Sequence, residues 1–351
     1  MADPEIWALY GRRAGDNRQI ATLAEATGLP WRPTPLAFNG LSRRPNLLLG
    51  ATRLSLTQET KASLSPPWPA LVISAGKRSV PAALWIRKAS GGRTKLVHIG
   101  RPWAPLDWFD LIVTTPQYLL PERPNVIINA LPLSRPPAPA PIAEDLAALP
   151  GPRLCVIAGG NSRPLIFDAA AARALGAEAL RGARESGGSL IVATSPRTSA
   201  EATAALQDAL ADADVPVRLS LFGAGENRYL HFLAAADAFL ITDDSAAMVA
   251  EGALRGKPVA LFRLERRPDR KTRRIELTRR LASISAPTKR LFGALEDAGL
   301  LISTRDLDRY VRALADAGFL AGGEAARAHA AGELAETVRR SKALAKAAHP
   351  L

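Results

Sequence analysis

Short apolar runs punctuate the chain, and longer segments of helical periodicity separate them. In the first half the runs fall at residues 6–10, 71–74, 95–99, 111–114 and 126–129. In the second they fall at 154–158, 190–193, 217–222, 239–242 and 259–262. They are near-continuously apolar rather than alternating, which is the pattern of parallel strands covered on both faces. Residues 17–27 read as a helix stopped by Gly28, and 168–186 as a helix stopped by Gly187-Gly188. Regular strand–helix alternation predicts βαβ units, and hence an α/β protein of doubly wound, Rossmann-like parallel sheets.

The midpoint breaks this rhythm with Ser134-Arg-Pro-Pro-Ala-Pro-Ala-Pro141. Prolines at this density fit neither a helix interior nor a central strand, so the stretch reads as a semi-rigid linker. The expected organisation is an N-terminal domain over 1–134, a linker over 135–150, a second domain over 151–318 and a helical segment over 319–351. A ligand cleft between two such domains is the natural expectation.

The chain has 351 residues, ample for two cores. Its one cysteine, Cys155, excludes an intramolecular disulfide framework and suggests a reducing cytoplasm. The start, Met1-Ala-Asp-Pro-Glu5, has no targeting pattern, and no run is apolar enough to span a bilayer. The net charge of +13 attracts nucleic acid, anionic lipid or phosphorylated substrates. Abundant Ala, Arg and Pro point to coding bias as the source of part of that excess. The stretch 263–280 is the densest basic segment, with Arg266, Arg267, Arg270, Lys271, Arg273, Arg274, Arg279 and Arg280. Few aromatics and no recognised motif argue against nucleic acid as the partner.

Ligands of open parallel sheets bind beyond the carboxyl ends of the strands. Glycines, hydroxyls, amides and arginines gather there in both halves. In the first half these are Gly11 to Asn17, including Gly15 and Asp16, then Gly76-Lys77-Arg78, and His98. In the second they are Gly159-Gly160-Asn161-Ser162, Thr194-Ser195-Pro-Arg197, Asn227, and Thr242-Asp-Asp244-Ser245. The Gly-Gly pair lets a backbone approach a phosphate, although a plain turn accounts for it equally well. Ser245 reads as the N-cap of a helix whose first residues, Ala246 and Ala247, would offer N–H groups to a diphosphate. Glu251, on the next turn, could accept from ribose hydroxyls, and a simply capped core helix is the bland alternative. Asp16 is either a helix cap or a general base, and His98 either a base or a structural histidine.

Competing motifs fail. No G-x-G-x-x-G follows a strand, Gly252 to Lys257 has the wrong spacing for a P-loop, and there is no G-x-S-x-G elbow. Four scattered histidines and one cysteine give no zinc site. Asp212-Ala-Asp214 imitates a metal pair but reads as a solvated helix end.

Residues 11–19, Leu71-Val-Ile-Ser-Ala-Gly-Lys-Arg78, the Gly159–Ser162 loop, and above all Leu240-Ile-Thr-Asp-Asp-Ser-Ala-Ala-Met-Val-Ala-Glu251 with Gly256-Lys-Pro258 resemble the mitochondrial-fission "elongated mitochondria" family. That family is similar to GT-B glycosyltransferases, including the enzyme that adds N-acetylglucosamine to the peptidoglycan lipid precursor. The resemblance implies a GT-B-like fold of two facing Rossmann-like domains and a metal-independent site with no cofactor. The NDP-sugar would lie on the C-terminal domain. There 159–162 would meet diphosphate or sugar, 244–247 would hold the diphosphate, and Glu251 the ribose. Thr194, Ser195, Arg197 and Asn227 would complete the nucleotide-sugar side. Gly15, Asn17, Gly76, Lys77 and Arg78 would form the acceptor side. The glycosyltransferase family has a histidine in its N-terminal loop where this chain has Asp16-Asn17, so the base role falls to Asp16. The expected activity is hexosyl transfer to an acceptor at the membrane or envelope, with the protein cytoplasmic or peripheral on the inner membrane. The rivals are a nucleotide-sugar epimerase and a non-catalytic adaptor of the kind described for plant fission factors.

Overall fold

The computed structural model describes residues 5–135, 141–282, 284–297, 299–301 and 305–348. Residues 1–4 of the N-terminal reading and 136–140 of the proline-rich stretch lie outside them, as do the side chains of Lys271 and Arg279. The chain divides into two compact units. Unit 1 comprises 1–134, 274–309 and 332–351, and unit 2 comprises 135–273 and 310–331. The tail therefore does not form a separate piece. Residues 274–309 and 332–351 return to unit 1, whereas 310–331 stay with unit 2.

Unit 1 is built on a six-stranded parallel sheet. Its strands are β1 (Ile6–Tyr10), β2 (Trp31–Pro35), β3 (Leu71–Ala75), β4 (Lys95–Ile99), β5 (Leu111–Thr114) and β6 (Val126–Ile128), in the order β2-β1-β3-β4-β5-β6. Strand periodicity divides β1 cleanly. Trp7 and Leu9 enter one buried cluster with Val72, Leu96 and Ile112, while Ile6 and Ala8 enter another with Ile20, Leu23 and Ile73. Ala345 belongs to that second cluster, with Leu334, Val338 and Leu344 packed against it. The Glu333 carboxylate accepts from the Ala130 N–H at 2.6 Å. These contacts explain why the last segment belongs to unit 1. β2 carries Pro33 and Pro35 and is not legible as an apolar run. It lies at the sheet edge, paired with β1 from Ile6↔Trp31 to Tyr10↔Pro35, where a missing N–H is tolerated.

Unit 2 has a five-stranded parallel sheet, β10-β9-β7-β11-β12. Its members are β7 (Arg153–Ala158), β9 (Ser189–Thr194), β10 (Val217–Ser220), β11 (Ala238–Thr242) and β12 (Val259–Phe262). A two-stranded antiparallel sheet joins β8 (Leu165–Ile166) to β13 (Glu265–Arg266). The helix Ala169–Ser186 begins where Asp168 accepts from the Ala171 N–H at 3.1 Å. Losing such a cap costs about 1 kcal/mol. Among the described residues no helix is long and apolar enough to cross a membrane.

Cys155, in β7, is fully buried, and burial pushes its thiol well above the ordinary range. The folded protein is expected to resist alkylation by iodoacetamide at neutral pH and to react on denaturation. Rapid native labelling, read by mass spectrometry, would show that β7 opens.

Candidate functional site

In each sheet the strand order reverses at one place, and the carboxyl ends of the strands at such a reversal are where open parallel sheets bind ligands. In unit 2 the reversal falls between β7 and β11. The loop after β7 is Gly159-Gly160, and the loop after β11 is Asp243-Asp244-Ser245. The Thr242 hydroxyl accepts from the Gly159 N–H at 2.8 Å and donates to Asp244 Oδ1 at 2.7 Å. Asp244 Oδ2 accepts from the Gly160 N–H at 3.2 Å and pairs with Arg197 at 2.8 Å. Thr198 Oγ1 donates to the Gly159 carbonyl at 2.5 Å. Neither glycine has room for a side chain. A Cβ on Gly159 would lie 2.0 Å from Asp244 Oδ1, and one on Gly160 would lie 2.0 Å from the Arg197 carbonyl oxygen.

This geometry gives Asp244 a different place from the one its sequence position suggests. Its side chain is fully buried and spent on Thr242, Gly160 and Arg197, whereas the Arg197 side chain is 40 % exposed. Asp244 therefore braces the loop and orients the half-exposed Arg197 side chain. Ser245 caps the helix Ala246–Ala253 by accepting from the Met248 N–H at 3.5 Å. Ala246 and Ala247 then open the first turn, whose N–H groups no helical carbonyl can reach. Tyr310 steadies that turn by donating to the Ala246 carbonyl at 3.1 Å. Asp243 points the other way, accepting from the Leu264 N–H at 3.1 Å beside Arg263, and burial raises its pKa.

Glu251 is half-buried on the same helix and accepts from the Tyr229 hydroxyl at 2.5 Å. Tyr229 has no signal in the sequence, because 22 residues separate the pair. Its helix start is set by Asn227, whose Oδ1 accepts from the Tyr229 N–H at 3.1 Å, and by Arg228 forked onto Asp145 at 2.6 and 2.7 Å. Asn161 and Ser162 are used inside their own loop. Asn161 Oδ1 accepts from the Phe167 N–H, and the Ser162 backbone exchanges hydrogen bonds with Leu165. Thr194 accepts from the Phe222 N–H at 2.8 Å, and Ser195 from the Arg197 N–H at 3.2 Å, so both shape loops. The acidic pair read as a solvated helix end behaves as one, with Asp214 accepting from exposed Arg184 at 2.7 Å.

In unit 1 the order reverses between β1 and β3. The loop after β1 is clamped by Asn17, which accepts from the Gly11 N–H at 2.8 Å and donates to the Gly11 carbonyl at 3.0 Å. Asp16 lies in the first turn of the helix Ala14–Ala26, after the exposed Gly15. The helix-cap alternative does not hold, because Arg13 takes that position without a side-chain cap bond. An Asp16 oxygen lies 3.4 Å from where a Gly76 Cβ would stand, so the β1 and β3 loops meet there. Burial raises the Asp16 pKa, against the opposing pull of Arg13 and Arg305. Lys77 is lowered by burial and by neighbouring Arg78, and its Nζ donates to the Arg43 carbonyl at 3.1 Å. Asn46, fully buried, holds this loop by donating to the Lys77 and Pro102 carbonyls at 3.0 and 2.9 Å. Nothing in the sequence marks it.

His98 is the clear correction. Its ring is completely buried in β4, 2.9 Å from Ser74 Oγ and against Phe109, and burial pulls its pKa down to about 3. It belongs to the sheet interior and reaches no ligand edge. Among the described residues no three His, Cys, Asp or Glu side chains gather as a metal site.

Two Rossmann-like units of this kind, each with a polar edge at its switch point, are the domain content of the GT-B class. The chain belongs to the family described as "Mitochondrial fission ELM1", which it matches over residues 14–296. It is 31% identical over 110 residues to "Uncharacterized protein RP120" of Rickettsia prowazekii (strain Madrid E), a match covering 31% of this chain and 30% of that protein. Solved structures similar to it include the S. aureus MnaA–UDP complex, at 13% identity and TM-score 0.47, covering 88% of this chain and 94% of that one. UDP-N-acetylglucosamine 2-epimerase from Rickettsia bellii is similar at 12% identity and TM-score 0.46, covering 98% and 97%. The Acinetobacter baumannii MurG structure is similar at 14% identity and TM-score 0.41, covering 88% and 94%.

Proposed function

We propose that unit 2 binds a nucleoside-diphosphate sugar at its β7/β11 edge and that the protein transfers the sugar to an acceptor without a metal ion. The observation that carries this reading is the junction at the switch point. Two glycines that admit no side chain are hydrogen-bonded to the strand end that leads into a serine-capped helix. The first turn of that helix offers backbone N–H groups and a positive dipole end to an anion. Arg197, oriented by Asp244, adds a cation for the departing diphosphate. Glu251, oriented by Tyr229, is placed to accept from ribose hydroxyls.

In the transfer, an acceptor hydroxyl oxygen bonds to the anomeric carbon and the carbon–oxygen bond to the diphosphate breaks. The nucleoside diphosphate leaves with the electron pair, and Asp16 takes the acceptor proton. The burial that raises the Asp16 pKa makes it a better base than an exposed carboxylate.

Thermal shifts against a panel of nucleoside diphosphates and NDP-sugars test the binding half. A selective shift that EDTA leaves intact is expected, and it should shrink in Glu251→Ala and, less, in Tyr229→Phe. Unchanged affinity in Glu251→Ala removes the ribose assignment. Asp16→Asn should keep the shift and lose transfer, and an active Asp16→Asn enzyme removes the base. Donor turnover without any acceptor would identify an epimerase, and no shift with any nucleotide would favour a binding protein.

A further inference from the structure

Between β2 and β3, unit 1 carries a surface segment over residues 39–56 with an unusual content. Leu41, Leu47, Leu48 and Leu54 are 45%, 38%, 75% and 62% exposed. They are not on a loose strand of chain. Asn39 accepts from the Leu41 N–H at 3.0 Å and donates to the Leu54 and Leu56 carbonyls at 2.7 and 3.0 Å, which ties two of the leucines to one side chain. Leu47 and Leu48 follow Asn46 in the short helix Asn46–Leu49, and buried Asn46 anchors that turn to the Lys77 and Pro102 carbonyls. Arg53 lies 4.7 Å over the Trp85 ring and donates to the Lys61 carbonyl. A backbone fixed this firmly presents its leucines to water by construction.

The charge along this part of the sequence is one-sided, although Arg32 pairs with Glu5, and Arg87 and Lys95 with Asp110. From residue 26 to residue 106 there are twelve Lys and Arg and one acid, Glu59. Arg43 and Arg44 are exposed within the segment, and Lys77 Nζ bonds to the Arg43 carbonyl, which joins the segment to the Lys77-Arg78 loop.

We propose that this segment is a membrane-docking surface, with the four leucines entering the interfacial layer of an anionic bilayer and Arg43, Arg44 and Arg78 meeting its headgroups. Exposed aliphatic tips ringed by basic residues are what an interfacial anchor requires, since apolar burial and attraction to anionic lipid act together. Nucleic acid would want aromatic stacking faces, and the exposed large apolar residues of this segment are all leucine. The proposal stands apart from the nucleotide reading, because lipid binding and nucleotide binding are measured separately.

The test is flotation of the full chain with vesicles of phosphatidylcholine alone, and with vesicles of phosphatidylcholine and phosphatidylglycerol at about three to one, where anionic lipid should decide binding. Binding is expected to the anionic vesicles only, and to weaken as salt rises. The triple variant Leu47→Ser/Leu48→Ser/Leu54→Ser should lose roughly tenfold or more in vesicle affinity, from the apolar area removed, while keeping its melting temperature. Arg43→Glu/Arg44→Glu should lose the preference for anionic lipid. Leu277→Ser/Leu281→Ser, which changes exposed leucines in the basic helix Arg270–Ala282, should bind as the parent does. No binding to anionic vesicles overturns the proposal, as does equal binding by the folded triple variant. Loss confined to Leu277→Ser/Leu281→Ser moves the surface elsewhere. Salt-sensitive binding to single-stranded RNA in preference to vesicles, unchanged in the triple variant, would make the basic face a nucleic-acid surface instead.

Discussion

Gly160→Ala is expected to destabilise unit 2 by about 3 kcal/mol, the upper end for forcing atoms into a filled site, and to abolish any nucleotide-induced thermal shift. The added methyl would sit 2.0 Å from the Arg197 carbonyl oxygen, and its neighbour is backbone rather than a side chain that can swing away. The Arg197 segment cannot retreat freely. Thr198, the next residue, is bonded to the Ala158 and Gly159 carbonyls, and Ser195 accepts from the Arg197 N–H. Relief must therefore come from the Gly159-Gly160 loop, which would pull Gly160 from Asp244 and release Arg197. All six tryptophans lie between Trp7 and Trp108, in unit 1. Tryptophan fluorescence therefore reports on unit 1, whereas far-UV circular dichroism reports on both. In urea, Gly160→Ala should add an early circular-dichroism transition while the fluorescence midpoint stays in place. Gly332→Ala is the control, because that helical glycine has nothing within 4 Å of its Cβ direction, and alanine should be neutral or slightly stabilising there. An unchanged urea profile for Gly160→Ala would mean that the Gly159-Gly160 loop moves aside without loss of stability.

The strands were legible because their burial on both faces is written as unbroken apolar runs. β1, β4, β5 and β12 fall on the residues those runs mark. β2 was hidden for the opposite reason, since an edge strand may carry prolines and exposed arginine. The polar edges followed from the strand ends. What linear order could not give was direction. Asp243, Asp244 and Ser245 are adjacent, yet one faces β12, one is buried against Gly160, and one caps a helix. The Tyr229–Glu251 bond, the Asn46 brace and the return of 332–351 to unit 1 depend on contacts across 22 residues or many more. His98 ends an apolar run and so looked like an edge residue, but a neutral imidazole that fits the sheet interior leaves the same trace in sequence.

That buried imidazole gives the second large effect, an acid sensitivity of unit 1. The folded-state pKa of His98 lies near 3, and burial is the cause. An unfolded histidine titrates near 6.5. As pH falls below that value the unfolded chain takes up a proton that the folded unit refuses, so stability is fully present above it and lost as pH drops towards 3. Between pH 7.5 and 5 the loss should be about 2 kcal/mol from this one group. His98→Leu shares every carboxylate with the parent, so the difference between their pH slopes isolates the histidine. His98→Leu keeps an apolar side chain of similar bulk in the core and removes the proton. Ser74 Oγ, which loses its imidazole partner, still has the Val97 carbonyl at 3.4 Å. Urea midpoints read by tryptophan fluorescence should therefore fall between pH 7.5 and 5 in the parent and stay nearly level in His98→Leu, whatever the offset between the two proteins. A parent slope equal to that of His98→Leu would mean that water reaches the ring in the folded state, and His98 would then return as a candidate for the chemistry at that edge.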